Sequence, residues 1–490
     1  MRRGGRRGAT GVVAAAAALC VVAAVPGQAV GADGGDAPAY GMAEDAKKIK
    51  GTASSGDAPD VKPGIYTDSI GRGEKKYYSV SLDAKSSAFL SAVAAPVPGA
   101  KVQGIGDGLK INLETVGGDP CDGGTQPGFT SQGAAYPIAD YATRVIGAED
   151  ECQQAGPYLF SVERVESATS DPTRWPLEIR YMSEPGLKGT APGAPTDNGA
   201  DDEPPPPVSG SAKKKAHGGT GFNDAGAVST GVWKDRVTPG ATRFYRVPLD
   251  WGQRLNAAVE LGSASSPGEY PQSVYNGLGV TTYNPARGAF DDDHFVQYTP
   301  DRSAQVVALT PVVDYGNRFA DSGYDAPLAG WYYLAVTVSP KVAEYFKGTA
   351  PLTLRIDVKG AAKPGPKYDG DAAAAGFGVS AEDKEQAEKG QSAAEAERSG
   401  TLELVAYGGI GAGTVLILAL ALWMLMARRR AATGAGPGAA PVPGQATGQA
   451  PGQAPVTQSG TVPFWPQQQG HGYGPPQGQD HGQRPPQGRQ

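Results

Sequence analysis

The sequence predicts an all-β chain of two tandem antiparallel β-sandwiches, together with one transmembrane α-helix and disordered ends. The first observation is a repeat, because residues 64–83 (GIYTDSIGRGEKKYYSVSLD) and 231–250 (GVWKDRVTPGATRFYRVPLD) share seven identical positions. Each copy also ends in matched segments, GPYLFSV then PLEIRY in the first and GWYYLAV then PLTLRIDV in the second. Since start, middle and end recur in the same order, the pattern indicates a duplicated domain.

The second observation is an alternation of apolar and polar side chains with a period of two. Residues 78–82 and 245–249 alternate in this way, which is typical of a strand with one buried face. Short strands broken by Gly, Pro, Asn and Asp, with no long helical pattern between them, favour an antiparallel sandwich. We expect matched positions to be buried alike: Tyr78 with Tyr245, Val80 with Val247, and Leu82 with Leu249.

The N-terminus has the features of a secretory signal peptide. Four arginines among the first seven residues precede the uncharged run Gly11–Val25, and small residues allow cleavage after Ala32. Cys20 lies inside the run and is expected to be removed with it. Export of the mature chain follows from this prediction.

A second apolar run, Leu404–Ala427, holds 24 residues without a charge. At about 1.5 Å per residue it is long enough to cross a hydrocarbon core of about 30 Å. Three arginines follow at 428–430 and place the C-terminal end inside the cell. We therefore expect a single-pass protein of the cell membrane, with residues 33–403 extracellular and the C-terminus cytoplasmic.

Composition divides the rest of the chain, because the DDEPPPP linker and the Gly/Pro/Gln-rich tail lack the apolar content to pack. A short helix is expected from Ser380 onward as part of a stalk. The predicted order is a signal peptide at 1–32, a flexible lead-in at 33–60, a first sandwich at 61–187, a Pro-rich linker at 188–217, a second sandwich at 218–360, a juxtamembrane stalk at 361–403, the transmembrane helix at 404–427 and a disordered cytoplasmic tail at 428–490.

Cys121 and Cys152 are the cysteines of the exported part. Two cysteines in an oxidising compartment indicate one disulfide, which would contribute about 3 kcal/mol by closing a loop. A metal or redox pair would need closer spacing or neighbouring histidines, and neither is found in the sequence. We therefore predict a disulfide between Cys121 and Cys152.

Both copies have Asp four residues into the repeat, then Gly, then an aromatic strand that ends in Leu-Asp, and later Gly-x-Tyr-x-Leu-x-Val or a close variant. In the second copy the pattern includes Trp233, Asp235 and Gly240, and LGVTTYNPARG (278–288) adds a strand ending in an Asn-Pro turn. This order resembles the bacterial pre-peptidase C-terminal (PPC) domain, although the first copy has no clear version of the turn. The resemblance implies jelly-roll-like sandwiches with an accessory or binding role and no catalytic residues. Richness in Gly, Pro and Ala indicates an actinobacterial source.

The exported part offers little for catalysis. Its histidines are His217 and His294, and no G-x-S-x-G, H-E-x-x-H or S-x-x-K element occurs in a suitable context. We therefore expect neither an enzyme nor a cofactor. The net charge of −6 and the lack of a long basic run, Lys213–Lys215 being short and in the linker, give no support to nucleic-acid binding.

Asp291, Asp292 and Asp293 form a dense acidic cluster of the exported part. Calcium takes several oxygen ligands, but three consecutive carboxylates of an extended chain cannot all point at one ion. A solvated loop is favoured over a calcium site, so no metal ligand is predicted.

Aromatic residues that recur in both copies are expected to fill the two cores. Tyrosines in the unmatched middle of the second copy are instead candidates for exposed contacts: Tyr270, Tyr275, Tyr283 and Tyr298.

Two short motifs lie near the C-terminus. Gly409 and Gly413 form G-x-x-x-G in the apolar run, which would allow a homodimer, although glycine is common in membrane helices. Phe464 and Trp465 form the aromatic pair of VPFWP, a candidate docking motif in the tail.

These features predict a non-catalytic cell-surface protein whose paired sandwiches bind an envelope glycan or another exported or membrane protein. One alternative is a transmembrane sensor or scaffold that signals through its tail. A third and less favoured function is an envelope hydrolase.

Overall fold

The computed structural model describes residues 37–129, 134–147, 152–165, 169–195, 207–211, 214–266, 272–290, 294–320, 326–396, 417–426 and 428. Within these ranges the chain forms two β-sandwiches, called domain one and domain two below. Four sheets contain the strands, and the helices are short. The prediction of an all-β fold with two sandwiches is confirmed.

Domain one is built from nine strands in two sheets. The strands are β1 (Lys47–Lys48), β2 (Asp60–Val61), β3 (Gly64–Ile70), β4 (Lys75–Leu82), β5 (Ser87–Ala94), β6 (Gly108–Thr115), β7 (Ile138–Arg144), β8 (Gly156–Val165) and β9 (Trp175–Glu184). The inner sheet, which faces domain two, has the order β1-β3-β9-β5-β7. The outer sheet, on the opposite side of the sandwich, has the order β2-β4-β8-β6. Successive long strands therefore fall in different sheets, which is the interleaving of a jelly roll.

Domain two repeats this arrangement with one more strand. Its strands are β10 (Lys214–Lys215), β11 (Gly226–Ala227), β12 (Gly231–Val237), β13 (Thr242–Leu249), β14 (Arg254–Leu261), β15 (Val274–Tyr283), β16 (His294–Tyr298), β17 (Ala304–Leu309), β18 (Gly330–Val338) and β19 (Ala350–Lys359). Its outer sheet has the order β10-β12-β19-β14-β17, and its inner sheet has the order β11-β13-β18-β15-β16. Apart from β16, each strand has a counterpart in domain one.

The duplication extends to individual contacts. Tyr78 and Tyr245 are both fully buried, and so are Val80 and Val247, as the shared alternation predicts. The hydroxyl group of Tyr78 donates a hydrogen bond to Asp68 at 2.8 Å, and that of Tyr245 donates to Asp235 at 2.7 Å. Leu82 (6% exposed) and Leu249 (0%) also match, so the prediction of equal burial is confirmed.

The sandwiches are not purely antiparallel, which corrects the predicted fold class. β1 and β2 pair in parallel with β3 and β4, and β10 and β11 pair in parallel with β12 and β13. These two-residue strands come from the segments that precede each copy. They cover the edges of the sheets, where unpaired backbone groups would otherwise be left open.

The inner sheets of the two domains pack against each other, so the molecule has four β-layers. Strand β5 is buried along both faces, because its second face meets domain two. Two apolar clusters fill the contact. The larger side chains of these clusters are Phe89, Val93 and Met182 from domain one, Phe222, Phe244, Tyr283, Leu328 and Tyr333 from domain two, and Phe377 from the segment that follows domain two.

The segments predicted to be flexible or stalk-like are packed onto this contact. Residues 37–60 are not a free lead-in, because Tyr40 packs edge-on against Phe244 at 5.7 Å, β1 lies within this segment and β2 begins at its end. The start of the linker pairs with the later chain through Leu187 and Tyr368. Residues 361–396 likewise contact both domains, through Phe377 on Phe89 and Asp383 on Trp331.

The short helix expected from Ser380 onward is present as α1 (Ala381–Lys389). Ser380 and Asp383 form a capping box at its start, and Gly390 ends it in the left-handed conformation. The helix packs on domain two through the buried Ala387, and Asp383 accepts a hydrogen bond from the indole of Trp331 at 3.0 Å. It is therefore part of the folded unit.

The disulfide between Cys121 and Cys152 is present, with 5.3 Å between the Cα atoms. The buried Arg144 supports it by donating hydrogen bonds to the carbonyl groups of Cys152 and Ser86. The predicted pairing is confirmed.

Most of the apolar run at 404–427 lies outside the described residues. The described part of the run, residues 417–426, is helical. Among the described residues, no helix has the length and apolar character needed to cross a membrane.

Candidate functional site

A wide cleft of about 2230 Å³ lies where the two domains meet at one end of the molecule. Domain one contributes the loop after β5 (98–104), and domain two contributes the edge strand β10, its neighbour β12 and the segment before β19. Residues 37–39 complete the wall. The site exists only where the two copies are docked, since residues from both line it.

The described lining of this cleft is strongly cationic. Its basic side chains are Lys101, Lys215, Lys234, Arg236, Arg243 and Lys347, its acidic one is Asp235, and His217 also lines it. Four lysines and Arg236 are exposed, whereas Arg243 is half-buried. A positive surface on a chain of net charge −6 is a local feature that overall composition conceals.

Strand pairing sets the positions of three of these cations. Lys215 on β10 is the Cα partner of Lys234 on β12, so both side chains lie on the solvent face of the outer sheet. Arg236 follows two residues later on the same face. Its guanidinium is held by the hydroxyl and carbonyl groups of Thr349. Trp233, the residue directly before Lys234, points inward and anchors β12 in the core.

Asp235 brings one negative charge to this lining, but neutral donors already occupy its carboxylate oxygens, and the structure shows no ion pair between it and the described cations. It accepts hydrogen bonds from the backbone amides of Gly218 and Arg236 and from the Tyr245 hydroxyl, each at 2.7 Å. Burial raises the pKa of Tyr245, and the Asp235 carboxylate raises it further, so this hydroxyl stays a donor. Arg243 donates instead to the Gly218 carbonyl.

In domain one, two basic side chains at or near the matched positions are paired with carboxylates. Lys76, the counterpart of Arg243, forms a buried ion pair with Asp68 at 2.7 Å. Arg174, which precedes β9, lies beside β3. It donates a hydrogen bond to the Ser69 hydroxyl and forms an ion pair with Glu74 at 2.7 Å.

In domain two, Arg236 occupies the position of Ser69, and Ala241 occupies that of Glu74. Lys234 likewise replaces Thr67 beside a matched lysine, Lys48 in domain one and Lys215 in domain two. Domain two therefore has Lys234 where domain one has a threonine, carries its arginine on β12 and not opposite it, and lacks the counter-charge that Glu74 supplies in domain one.

A second polar cluster lies inside the domain contact and is fully occupied by its own partners. Arg287 pairs with Glu178 at 2.6 Å with both side chains at or below 1% exposure, and Asn223 and Tyr40 also bond Glu178. Burial acts to raise the pKa of Glu178, but the Arg287 guanidinium and hydrogen bonds from Ala43 and Asn223 together outweigh it and keep the pKa below its ordinary value. Arg318 and Glu184 form a similar buried pair. We conclude that these ion pairs hold the two domains together.

The other predicted candidates are distributed as follows. Tyr275 is exposed, at 68%, as expected. Tyr283 (4%) and Tyr298 (0%) are buried, because the first packs in the domain contact and the second fills the core of domain two, so the expectation of exposed contacts is wrong for them. His217 lines the cleft, and His294 is exposed on β16. Several lie outside the described residues: Tyr270, Asp291, Asp292, Asp293, Gly409, Gly413, Phe464 and Trp465.

In the described part of the chain, no group of three or more His, Cys, Asp or Glu side chains is arranged to hold a metal ion.

The cationic cleft was missed at the level of sequence. Its cations come from five separate segments, so no linear basic run marks it. The Lys213–Lys215 run was taken as part of a solvated linker, yet Lys214 and Lys215 form β10. The available signal was a comparison of the two copies, which shows Lys and Arg at 234 and 236 against Thr67 and Ser69.

No protein-family model matches the chain, and no curated protein matches it. Similar solved structures include the CBM22-1–CBM22-2 tandem domain of Xyn10C from Paenibacillus barcinonensis, with 14% identity over 68% of this chain and 99% of that one and a TM-score of 0.17. The CUB1-EGF-CUB2 domain of human MASP-1/3 follows with 8% identity, 60% and 99% coverage and a TM-score of 0.15. The ANX1 ectodomain from Arabidopsis thaliana has 9% identity, 62% and 85% coverage and a TM-score of 0.16.

These neighbours are carbohydrate-binding modules and extracellular domains by name, but identities and TM-scores this low carry no argument about the ligand of this chain. Without a family match, the resemblance to the PPC domain stays a prediction.

Proposed function

We propose that this chain is an exported, membrane-anchored, non-catalytic protein that binds an anionic glycan of the cell envelope in the cationic cleft between its two domains. The observation that carries the proposal is the group of uncompensated cations in the described lining. Exposed lysines facing one open space repel each other. An anionic ligand would relieve this repulsion.

The two copies argue for ligand binding rather than for stability. In domain one Lys76 and Arg174 are paired with Asp68 and Glu74, which is what cohesion of a fold requires. In domain two Arg236 is held in place by the neutral Thr349, so its positive charge remains available. A positioned and unneutralised guanidinium is suited to an external anion.

Rigid docking of the domains supports the same function. The cleft is formed by both copies, and buried ion pairs at Glu178 and Glu184 fix their contact. Binding therefore needs no domain closure, and the free energy of binding is not reduced by a cost of ordering the site.

The test is isothermal titration calorimetry of the full-length protein in neutral detergent with polygalacturonate and with dextran of matched length. We expect binding of polygalacturonate alone, and about tenfold weaker binding by Lys234→Gln/Arg236→Gln, since each exposed charge contributes up to about 1 kcal/mol. The matched control in domain one is Lys48→Gln, which should leave the affinity unchanged. Equal binding of dextran, or equal loss in the control, would contradict the proposal.

A further inference from the structure

We infer that the cleft takes an extended polyanion, a polymer with a phosphate or carboxylate group on successive units, and not a small anion. This inference rests on the proposed function and concerns the form of its ligand.

The first argument is size. Sites for small molecules usually enclose about 300–1,000 Å³, whereas this cleft measures about 2230 Å³ and is open to solvent. A single phosphate or uronate would leave most of its walls without contact. The volume is suited to several connected units of a polymer.

The second argument is the placement of the charges. Lys215 and Lys234 are partners on adjacent strands, so their Cα atoms are about 4.8 Å apart. Arg236 lies two residues beyond Lys234 on the same face, which is about 6.7 Å along β12. Lys101 in domain one and Lys347 of domain two add charges on other parts of the wall. Such a row contacts anions that repeat along a chain.

The third argument is the chemistry of the cations. Four of the six are lysines, whose ammonium groups act as point charges without a fixed orientation. Arg236 uses Nε and one N–H of Nη2 on Thr349, so its side-on fork is occupied and only the end-on pair of N–H groups is left for an anion. This set is suited to neutralising many equal charges and poorly suited to selecting one small anion.

The lining also indicates which polyanion fits. Phe346 is the one phenyl, phenol or indole ring in the described lining. Single-stranded nucleic acids and neutral sugars are commonly held by stacking on several such rings. Affinity must therefore come from charge, which favours an anionic glycan over DNA or RNA.

The test is a length series measured by calorimetry on the full-length protein in neutral detergent. Free galacturonate and oligomers of 3, 6, 12 and 24 units form one arm, and inorganic phosphate and polyphosphates of matched length form the other. We expect affinity to rise at least a hundredfold from monomer to 12 units. The logarithm of the affinity should fall linearly with the logarithm of salt concentration, because a bound polyanion releases counterions.

Variants on both walls connect this behaviour to the cleft. Lys101→Gln in domain one and Lys234→Gln in domain two should each weaken the 12-unit oligomer about two- to fivefold and reduce the salt slope. Lys48→Gln and Lys110→Gln, both exposed outside the cleft, are the controls. Circular dichroism establishes that each variant is folded.

The outcomes separate the two proposals. If monomers bind as tightly as 12 units and Lys234→Gln weakens them, the polymer inference is wrong while the anionic site stands. If neither series binds, both proposals fall. Tighter binding of single-stranded DNA than of either series at equal charge would overturn the assignment to a glycan. Between the arms, the tighter one identifies phosphate or carboxylate as the repeating group.

Discussion

Asp140 on β7 faces domain two across the contact, where its carboxylate accepts a hydrogen bond from the Ala289 amide at 3.1 Å. The Tyr141 amide also donates to it, at 2.8 Å. Burial, together with a smaller effect of the neighbouring Asp122 carboxylate, raises the pKa of Asp140 to about 7 in spite of these amides. A group that titrates near neutrality therefore lies between the domains.

The direction of the effect on stability follows from this raised pKa. Near pH 5 to 6 the folded protein keeps a proton on Asp140 that the unfolded chain, with a pKa of about 4, has already released. The stability contributed by this proton is fully present below pH 4 and is lost as the pH rises to about 7.

Asp140→Asn should stay neutral at every pH and keep both amide hydrogen bonds. We expect this variant to gain in melting temperature relative to the unchanged protein as the pH rises from 5 to 8. Thermal melts across this range check it, with the exposed Asp60→Asn as control. Parallel profiles for all three proteins would contradict the assignment.

At the scale of elements, α1 links the end of the folded unit to the cationic cleft. Gly390, which ends the helix, has φ 72°, and a Cβ atom there would lie 2.6 Å from the Trp233 ring and 3.0 Å from the Lys215 carbonyl. Lys214 also donates to the Glu388 carbonyl. The helix therefore supports β10 and β12, the two strands that carry Lys215 and Lys234.

Gly390→Ala should loosen α1 and the strand beside it. The left-handed backbone costs a residue with a Cβ atom about 1–2 kcal/mol, and the clash with Trp233 adds to this cost. The matched control is Gly348→Ala, which has φ 90° but nothing within 4 Å of its Cβ position. We expect faster hydrogen exchange over 381–396 and 214–215 in the first variant. Equal effects of both variants would show that the clash is unimportant.

Sequence patterns predicted the strands for a simple physical reason. A strand with one solvent-exposed face shows an alternation of apolar and polar side chains. Residues 78–82 and 245–249 therefore indicated which of their side chains are buried and that the two strands correspond. The disulfide was predictable because two cysteines remain once Cys20 is assigned to the predicted signal peptide. Alternation disappears where both faces are buried, and SAFLSAVA in β5 is such a segment. This segment, in which only Ser87 and Ser91 are polar, marked the domain contact, although its meaning required the partner surface.

The cleft was less predictable because it depends on docking. Lys101 and Lys347 are separated by more than two hundred residues and by two folded cores. Nothing local in either segment specifies that they share one open space. The position of Arg236 could be read from the repeat, but its lack of a counter-charge depends on how β12 and β19 pair.

At the scale of the whole molecule, the two domains should unfold as one. Their inner sheets share apolar clusters, and Glu178 and Glu184 of β9 form buried ion pairs with Arg287 and Arg318 of domain two. Separation would leave these charges unpaired, which is strongly destabilising. Each domain therefore depends on the other for a large part of its covered surface.

Leu82→Asp tests this dependence. It should cost at least the roughly 2–5 kcal/mol of a truncated core leucine and in addition bury a charge. We expect denaturant melts followed by hydrogen exchange to show one transition, with protection lost in both domains together. Ser81→Asp places the same charge one residue earlier on the exposed face and should change little. Two separate transitions, with domain two still protected, would contradict the prediction.

The segment after domain two has a consequence for how the chain is made. Phe377 packs on Phe89, so part of the surface of domain one is covered by a residue synthesised almost three hundred positions later. A chain that emerges from its N-terminus must therefore carry Phe89, Val93 and Met182 uncovered during most of its synthesis or export. Contacts this distant in sequence form slowly, and exposed apolar sheet surface is prone to aggregate in the meantime. The final yield of this protein should depend on how quickly its last folded segment arrives.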